Sequence, residues 1–351
     1  MLETIVKEDI DRILINTKIK WNKFKNASFL ITGANGFIAN YIINTLIYLN
    51  FYKKYNIKII LLTRNKIKTK KKFINTKTSK FIKIINHNLL TKVKIKDKID
   101  YVFHSASQAS PKFYLKNPIS TILPNVLGTY NVLNLCENKK IKSFLYFSSG
   151  EIYGDSRKKL VEDTIHETPT LNPRSCYTQS KKMGETISYS FLQEKKVPTK
   201  IIRIFHTYGP GMDLNDGRVM MDFVKEIVIN NQITVKSSGK QKRSFCYIGD
   251  MISAIFLVLI KGKNGEAYNA GNPKEFMSIK LLAQKISNKI NGIKIVYKER
   301  SKKDFYIKST IDKVNPSVKK ISKLKFSPKI NVETGFLRTI EYFKKKNIKN
   351  S

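Results

Sequence analysis

Tyr177-Thr178-Gln179-Ser180-Lys181 sets a phenol and an ammonium four residues apart. On a helix such a pair shares one face. An ammonium beside a phenol favours the phenolate, so the spacing predicts that Tyr177 acts as a base near neutral pH. Ser149 follows the apolar run SFLYF at 143–147 and can bond to the same hydroxyl that Tyr177 deprotonates. A carboxylate, Glu151, stands two residues further on in Ser148-Ser149-Gly150-Glu151-Ile152-Tyr153-Gly154. Tyr177, Lys181 and Ser149 suit removal of a proton from a carbinol. For Glu151, pointing to solvent or capping a helix is the plain alternative to a role in that chemistry.

Oxidation of a carbinol needs an acceptor, and residues 32–39 offer a place for one. Thr32-Gly33-Ala34-Asn35-Gly36-Phe37-Ile38-Ala39 reads GxxGxxA between an apolar strand and a helix. Gly33 allows a tight turn, Gly36 lets the backbone approach a pyrophosphate, and Ala39 permits close helix–strand packing. The free N–H groups and dipole of the helix start favour the anion. Gly33, Asn35, Gly36, Phe37 and Ile38 are therefore candidate dinucleotide contacts, with Lys181 on the nicotinamide ribose. A ribose-binding acid is expected after the second strand, where Thr63-Arg64-Asn65 stand instead. Arg64 either faces a 2′-phosphate, which favours NADP over NAD, or is one more surface cation.

The elements that position these groups alternate. Strands are expected at 28–33, Ile57–Thr63, Phe81–Ile85, Tyr101–His104, Ser143–Phe147 and Lys200–Phe205. Helices are expected at 36–50, Asn125–Asn138 and 177–195, with a basic polar connection at Lys66–Lys80. Alternation implies α/β: a Rossmann doubly wound parallel sheet covered on both faces. After about residue 206 it weakens, which predicts a smaller C-terminal α+β substrate-binding domain. The expected division is 1–26 as an N-terminal helical extension, 27–205 as the NAD(P)-binding domain and 206–347 as the lid, with strand order free to interleave the two.

With 351 residues, 41% of them hydrophobic, the chain can bury a large core. Its 66 basic and 26 acidic residues give a net charge of +40. That charge suits a nucleic-acid binder, but it is spread from Lys7 to Lys349 and accompanies no nucleic-acid module. A lysine-rich surface is the favoured explanation, and a basic Rossmann-fold nucleic-acid binder is the non-enzymatic alternative. Cys136, Cys176 and Cys246 are odd in number and widely spaced, which argues against a disulfide framework or a metal site. The N-terminus lacks a signal-peptide core and the apolar run Ala254–Ile260 is too short to span a bilayer, so a cytoplasmic protein without membrane or nucleic-acid partners is expected. Met220 and Met221 read as core, and His104 as a structural hydrogen-bonding group.

The ordered set of glycine loop, strand-end serine and YxxxK resembles the extended short-chain dehydrogenases/reductases that modify nucleotide sugars, over about residues 27–345. The resemblance implies C4 oxidation by bound NAD or NADP, with Tyr177 as base supported by Lys181 and Ser149, and a homodimer built on the helix that carries Tyr177. It is greatest to the UDP-glucuronate decarboxylases. HSASQASP at 104–111 is similar to their HLASPASP stretch, NPRSCY at 172–177 to their approach to the tyrosine, NDGRV at 215–219 to their NDGRV, and GKQKRSF at 239–245 to their glycine-to-arginine segment. It implies that Ala106 lies by the cofactor and that Ser107, His206, Arg218 and Arg243 lie by the nucleotide sugar.

Gly150-Glu151 keeps the carboxylate of that group and lacks the Asp of the 4,6-dehydratases. The family's Ser at 150 and Asn at 206 are replaced by Gly150 and His206. The implied reaction is decarboxylation of a nucleotide hexuronate to a nucleotide pentose; a nucleotide-hexose 4,6-dehydratase or an epimerase is the alternative.

Overall fold

Ser28–Thr32 (SFLIT) is buried at every position and forms β1. A strand with no polar alternation has both faces covered. The chain turns at Gly33 and runs into α2 (Phe37–Lys53), which follows the N-terminal helix α1 (Thr4–Asn16) in order. The computed structural model describes residues 3–154, 159–164, 168–298 and 312–348. Next come β2 (Lys58–Thr63), α3 (Lys66–Phe73), β3 (Ile82–Asn86), β4 (Tyr101–His104), α4 (Pro111–Tyr114), α5 (Pro118–Glu137), β5 (Ser143–Ser149), α6 (Ser175–Lys195) and β6 (Thr199–Ile204).

The second half supplies β7 (Thr207–Tyr208), α7 (Val219–Asn230), β8 (Gln232–Val235), β9 (Lys242–Ser244), β10 (Cys246–Tyr247), α8 (Ile248–Lys261) and β11 (Ala267–Ala270). It ends with β12 (Phe276–Ser278), α9 (Ile279–Ser287), β13 (Lys294–Tyr297), β14 (Lys313–Val314), α10 (Lys319–Ser322) and α11 (Val332–Ile348).

Seven strands form one parallel sheet in the order β11-β6-β5-β4-β1-β2-β3. The order reverses between β1 and β4, and ligands of doubly wound sheets bind in the crevice beyond the strand ends at such a point. His104 closes β4 there. Its ring bonds to Thr32 Oγ1 and Thr129 Oγ1, each at 3.0 Å, and so ties β1, β4 and α5 together. Burial lowers its pKa to about 3, which fits a structural rather than an acid–base group.

The chain after 206 is divided. β11 joins the main sheet, and α8, buried along nearly its whole length, packs against it. The smaller sheets (β8 with β13; β9 between β12 and β14) and α7 and α9 form the second layer.

Several elements differ from expectation. α5 starts at Pro118 rather than Asn125, because Pro118 at the first turn is a good helix starter and the internal Pro124 obscures the periodicity. The basic connection contains α3, started by the Asn65 side chain accepting from Lys68 N at 2.8 Å. The N-terminal segment carries α1, and this helix is docked. Ile5, Val6, Ile10 and Ile13 are buried, and the buried Asp9 carboxylate accepts from Tyr41, Tyr247 and Arg338.

Candidate active site

Gly33 has φ +68°, and a Cβ there would come within 2.8 Å of Ala106 Cα. The glycine turn and the loop after β4 therefore lie backbone to backbone. Ser105 Oγ donates to Thr32 O at 2.7 Å and Ala106 N to Thr32 Oγ1 at 3.1 Å, which fixes that approach. The N-terminus of α2 has no side-chain cap, so its first N–H groups at Phe37 and Ile38 remain available to an anion. Asn35 Oδ1 and Ser107 Oγ are buried without a partner among the described residues. A cradle without a Cβ, an uncapped helix start and the unpartnered Ser107 hydroxyl, which can donate, fit a dinucleotide pyrophosphate.

On the other side of the crevice, α6 lies close on β5. Gly184 allows this: a Cβ there would sit 2.0 Å from the Tyr146 hydroxyl. The packing brings Tyr177 and Lys181 against the end of β5. Lys181 Nζ donates to Phe147 O at 2.6 Å and lies 6.0 Å from the Tyr177 ring centroid. The Ser149 hydroxyl is a hydrogen-bond partner of the Tyr177 phenol and also accepts from Glu151 N at 3.1 Å.

The electrostatics correct one expectation. Tyr177 is pushed up to about 12, first by burial and then by the Glu151 charge, with Ser149 and Arg218 opposing. Lys181 is pushed down to about 7 by burial, against the pull of Glu185. Spacing alone predicts a depressed phenol. Desolvation outweighs it, because both groups are nearly fully covered by α6, β5 and Tyr114.

Glu151 faces the crevice rather than solvent. Arg174 Nη2 reaches both of its oxygens at 3.4 Å, and Tyr114 Oη donates to Oε2 at 3.3 Å. The Tyr114 ring stacks on Tyr177 at 5.1 Å and 7°. Gly150 is pressed against Phe205: a Cβ would meet its ring at 2.6 Å. A carboxylate-bearing side chain at 150 would thus require the Phe205 ring to move.

Arg218 does not stand bare, since it makes a two-point pair with Asp216 at 2.5 and 2.9 Å. Arg243 is largely buried and donates to the carbonyls of Lys242 and Asp312, each at 2.9 Å. His206 is held well below its ordinary pKa by burial and by Arg243, Arg218 and Arg174, and its buried Nδ1 has no partner among the described residues.

All fifteen candidate residues, Arg64 among them, line a single cleft of about 1380 Å³. Pockets for one drug-sized ligand run to about 1,000 Å³, so this cleft has room for a dinucleotide and a second nucleotide. Arg174 and Tyr114 were not singled out from sequence. Arg174 stands in the quoted NPRSCY stretch, whereas nothing local marks Tyr114. Met220 and Met221 are buried core, and all three cysteines are free. Among the described residues no helix is long and apolar enough to cross a membrane.

Comparison with known proteins places this geometry. The profile of the NAD dependent epimerase/dehydratase family matches residues 29–271. The chain belongs to this family. Curated relatives include UDP-glucuronic acid decarboxylase 1 of Xenopus tropicalis, 32% identical over 266 residues that make up 75% of this chain and 60% of the relative. UDP-glucuronic acid decarboxylase 5 of Arabidopsis thaliana is 33% identical over 274 residues, 76% of this chain and 75% of that one. The epimerase/dehydratase fold extends through the described structure. The UDP-glucuronic acid 4-epimerase of Bacillus cereus, solved with UDP-glucuronic acid and NAD, has a TM-score of 0.72 at 21% identity, covering 91% of this chain and 99% of that one. The UDP-N-acetylglucosamine 4-epimerase of Methanobrevibacter ruminantium reaches 0.78 at 23% identity, covering 92% and 99%.

Proposed function

We propose that the chain is a nucleotide-hexuronate decarboxylase acting on UDP-glucuronate and forming a UDP-pentose. The carrying observation is the pairing of a crevice-facing Glu151, clamped by Arg174 and Tyr114 beside Tyr177, with a position 150 that has no side chain to protonate a 6-hydroxyl. The names of the curated relatives support the same substrate.

Bound NAD(P)+ would supply the hydride acceptor for C4 of the sugar and the hydride donor for its later reduction. Gly33, Asn35, Gly36, Phe37, Ile38 and Ala106 would hold its pyrophosphate half, and Lys181 its nicotinamide ribose. Tyr177 removes the proton of the 4-hydroxyl, with Ser149 bonded to the same oxygen. The product is a ketone β to the C6 carboxylate. Breaking C5–C6 releases carbon dioxide and sends the electron pair into the C4 carbonyl as an enolate. A proton then adds at C5, and Tyr177 returns its proton as C4 is reduced.

Arg174 offsets the charge of Glu151, which lets an anionic uronate come close. Glu151 then assists the proton transfer at C5. Arg218, Arg243, His206 and Ser107 would bind the nucleotide sugar, His206 as a neutral ring. An arginine fork suits phosphate oxygens.

The apolar groups left exposed on α5 and α6, including Ile119, Leu127, Tyr130, Met183 and Tyr189, support a homodimer in which these helices meet their copies. The location is taken as cytoplasmic.

Incubation of the purified protein with a panel of nucleotide hexoses and hexuronates, read by mass spectrometry, tests the assignment. The expected product is a UDP-pentose from UDP-glucuronate alone. A 4-keto-6-deoxy sugar from a nucleotide hexose would replace it with a dehydratase.

A further inference from the structure

The acids that line the cleft are confined to one end of it. Among the described residues, the carboxylates in its lining are Glu151, Asp213, Asp216 and Asp222, all from β5 onward. The segment after β2 contributes Arg64, Asn65, Lys68 and Lys72, and no acid.

The neutral acceptors of Thr63 and Asn65 at the end of β2 are already engaged, and the unpartnered Asn35 Oδ1 is buried out of reach. Thr63 Oγ1 accepts from Asn35 Nδ2 at 3.2 Å, from Thr69 Oγ1 at 3.1 Å and from Asn65 N at 3.2 Å. Asn65 Oδ1 caps α3 by accepting from Lys68 N at 2.8 Å. The Asn86 amide, turned to its better orientation, donates to Thr63 O and Arg64 O. A ribose 2′-hydroxyl that needs an acceptor would find donors and cations instead.

The cations also crowd one another. Lys72 lies on the exposed face of α3, yet it is pushed down to about 8, first by desolvation of its ammonium among neighbouring groups and then by the charges of Lys68 and of Lys346 on α11. No salt bridge to a carboxylate relieves Lys68, Lys72 or Lys346 among the described residues; Lys72 and Lys346 lie only over the rings of Phe73 and Tyr342. Two helices far apart in sequence thus bring like charge to bear on Lys72, which lines this corner of the cleft. A phosphate dianion placed there would relieve that repulsion.

We propose that Arg64, Lys68 and Lys72 form a subsite for a ribose 2′-phosphate, so that this chain prefers NADP to NAD although its family is NAD dependent. The inference rests on the dinucleotide reading of the glycine turn. It is independent of which sugar is processed.

Calorimetric titration of the full chain with 2′,5′-ADP and with 5′-AMP tests it without reference to turnover. The expected result is at least tenfold tighter binding of 2′,5′-ADP, with the ratio falling toward one in the Arg64→Ala/Lys72→Gln variant. Lys72→Gln alone, on an exposed helix face, should narrow the ratio in part. Equal affinities in the unsubstituted protein, a preference for 5′-AMP, or a ratio unchanged by the double substitution would overturn the subsite and leave the decarboxylase assignment standing. Failure of both nucleotides to bind would overturn the subsite together with the cofactor reading beneath it.

Discussion

The ammonium of Lys181 stands 6.0 Å from the ring centroid of Tyr177 and gives a 2.6 Å hydrogen bond to the carbonyl of Phe147. Burial lowers Lys181 to about 7 from 10.5. The unfolded chain therefore holds more protons at this position than the folded one between those two values. Stability must rise with pH across that window as far as Lys181 is concerned, and the penalty for burying its charge is fully present below pH of about 7. Thermal unfolding of the protein and of Lys181→Met from pH 7 to 9 checks this. The gain of the unsubstituted protein with pH should be the larger.

Tyr177→Phe removes the proton acceptor and keeps the ring stacked on Tyr114. Turnover should fall by about 10²- to 10⁴-fold, the usual contribution of a positioned acid–base group. Binding of the nucleotide sugar, followed by calorimetry, should change little.

Glu151→Gln keeps the shape of the side chain and takes away its charge. Reduced-nicotinamide absorbance should still appear with UDP-glucuronate, while release of the pentose product slows by about 10²-fold or more. The same substitution removes a charge that raises Tyr177, so the pH profile should move toward lower pH.

Gly33→Ala places a Cβ 2.8 Å from the Ala106 backbone in a residue with φ +68°. Left-handed backbone alone costs a non-glycine residue about 1–2 kcal/mol. The variant should melt lower and lose dinucleotide affinity together, as read by thermal unfolding with and without cofactor.

Arg338→Met leaves the Asp9 carboxylate 1% exposed with only the Tyr41 and Tyr247 hydroxyls as partners. Removing one member of a buried ion pair costs about 3–5 kcal/mol, and the two phenols place this case near the lower end. Chemical denaturation would show the loss. Asp9→Asn in the same background should recover part of it.

The β1–Gly33–α2 unit and the β5–α6 pair were legible because their signals are local: uninterrupted apolar runs, a glycine turn, an i,i+4 pair. Gly33, Asn35, Gly36, Phe37, Ile38, Ser149, Tyr177 and Lys181 reached the cleft through those local elements. What escaped depends on approach between distant segments. The stacking of Tyr114 on Tyr177, the Arg174 clamp on Glu151 and the contact of Phe205 with Gly150 arise only when α4, α6 and β6 converge. The return of β11 to the sheet is likewise a matter of topology. The upward push of burial on Tyr177 is hidden for the same reason, since spacing reports a neighbour's charge and is silent on how much water the fold removes.

Reaction with UDP-glucuronate in deuterium oxide tests the central claim most directly. Decarboxylation through a C4 ketone predicts one carbon dioxide released per sugar and a UDP-pentose carrying deuterium at C5. An intact hexuronate, epimerised at C4 and free of deuterium at C5, would contradict it.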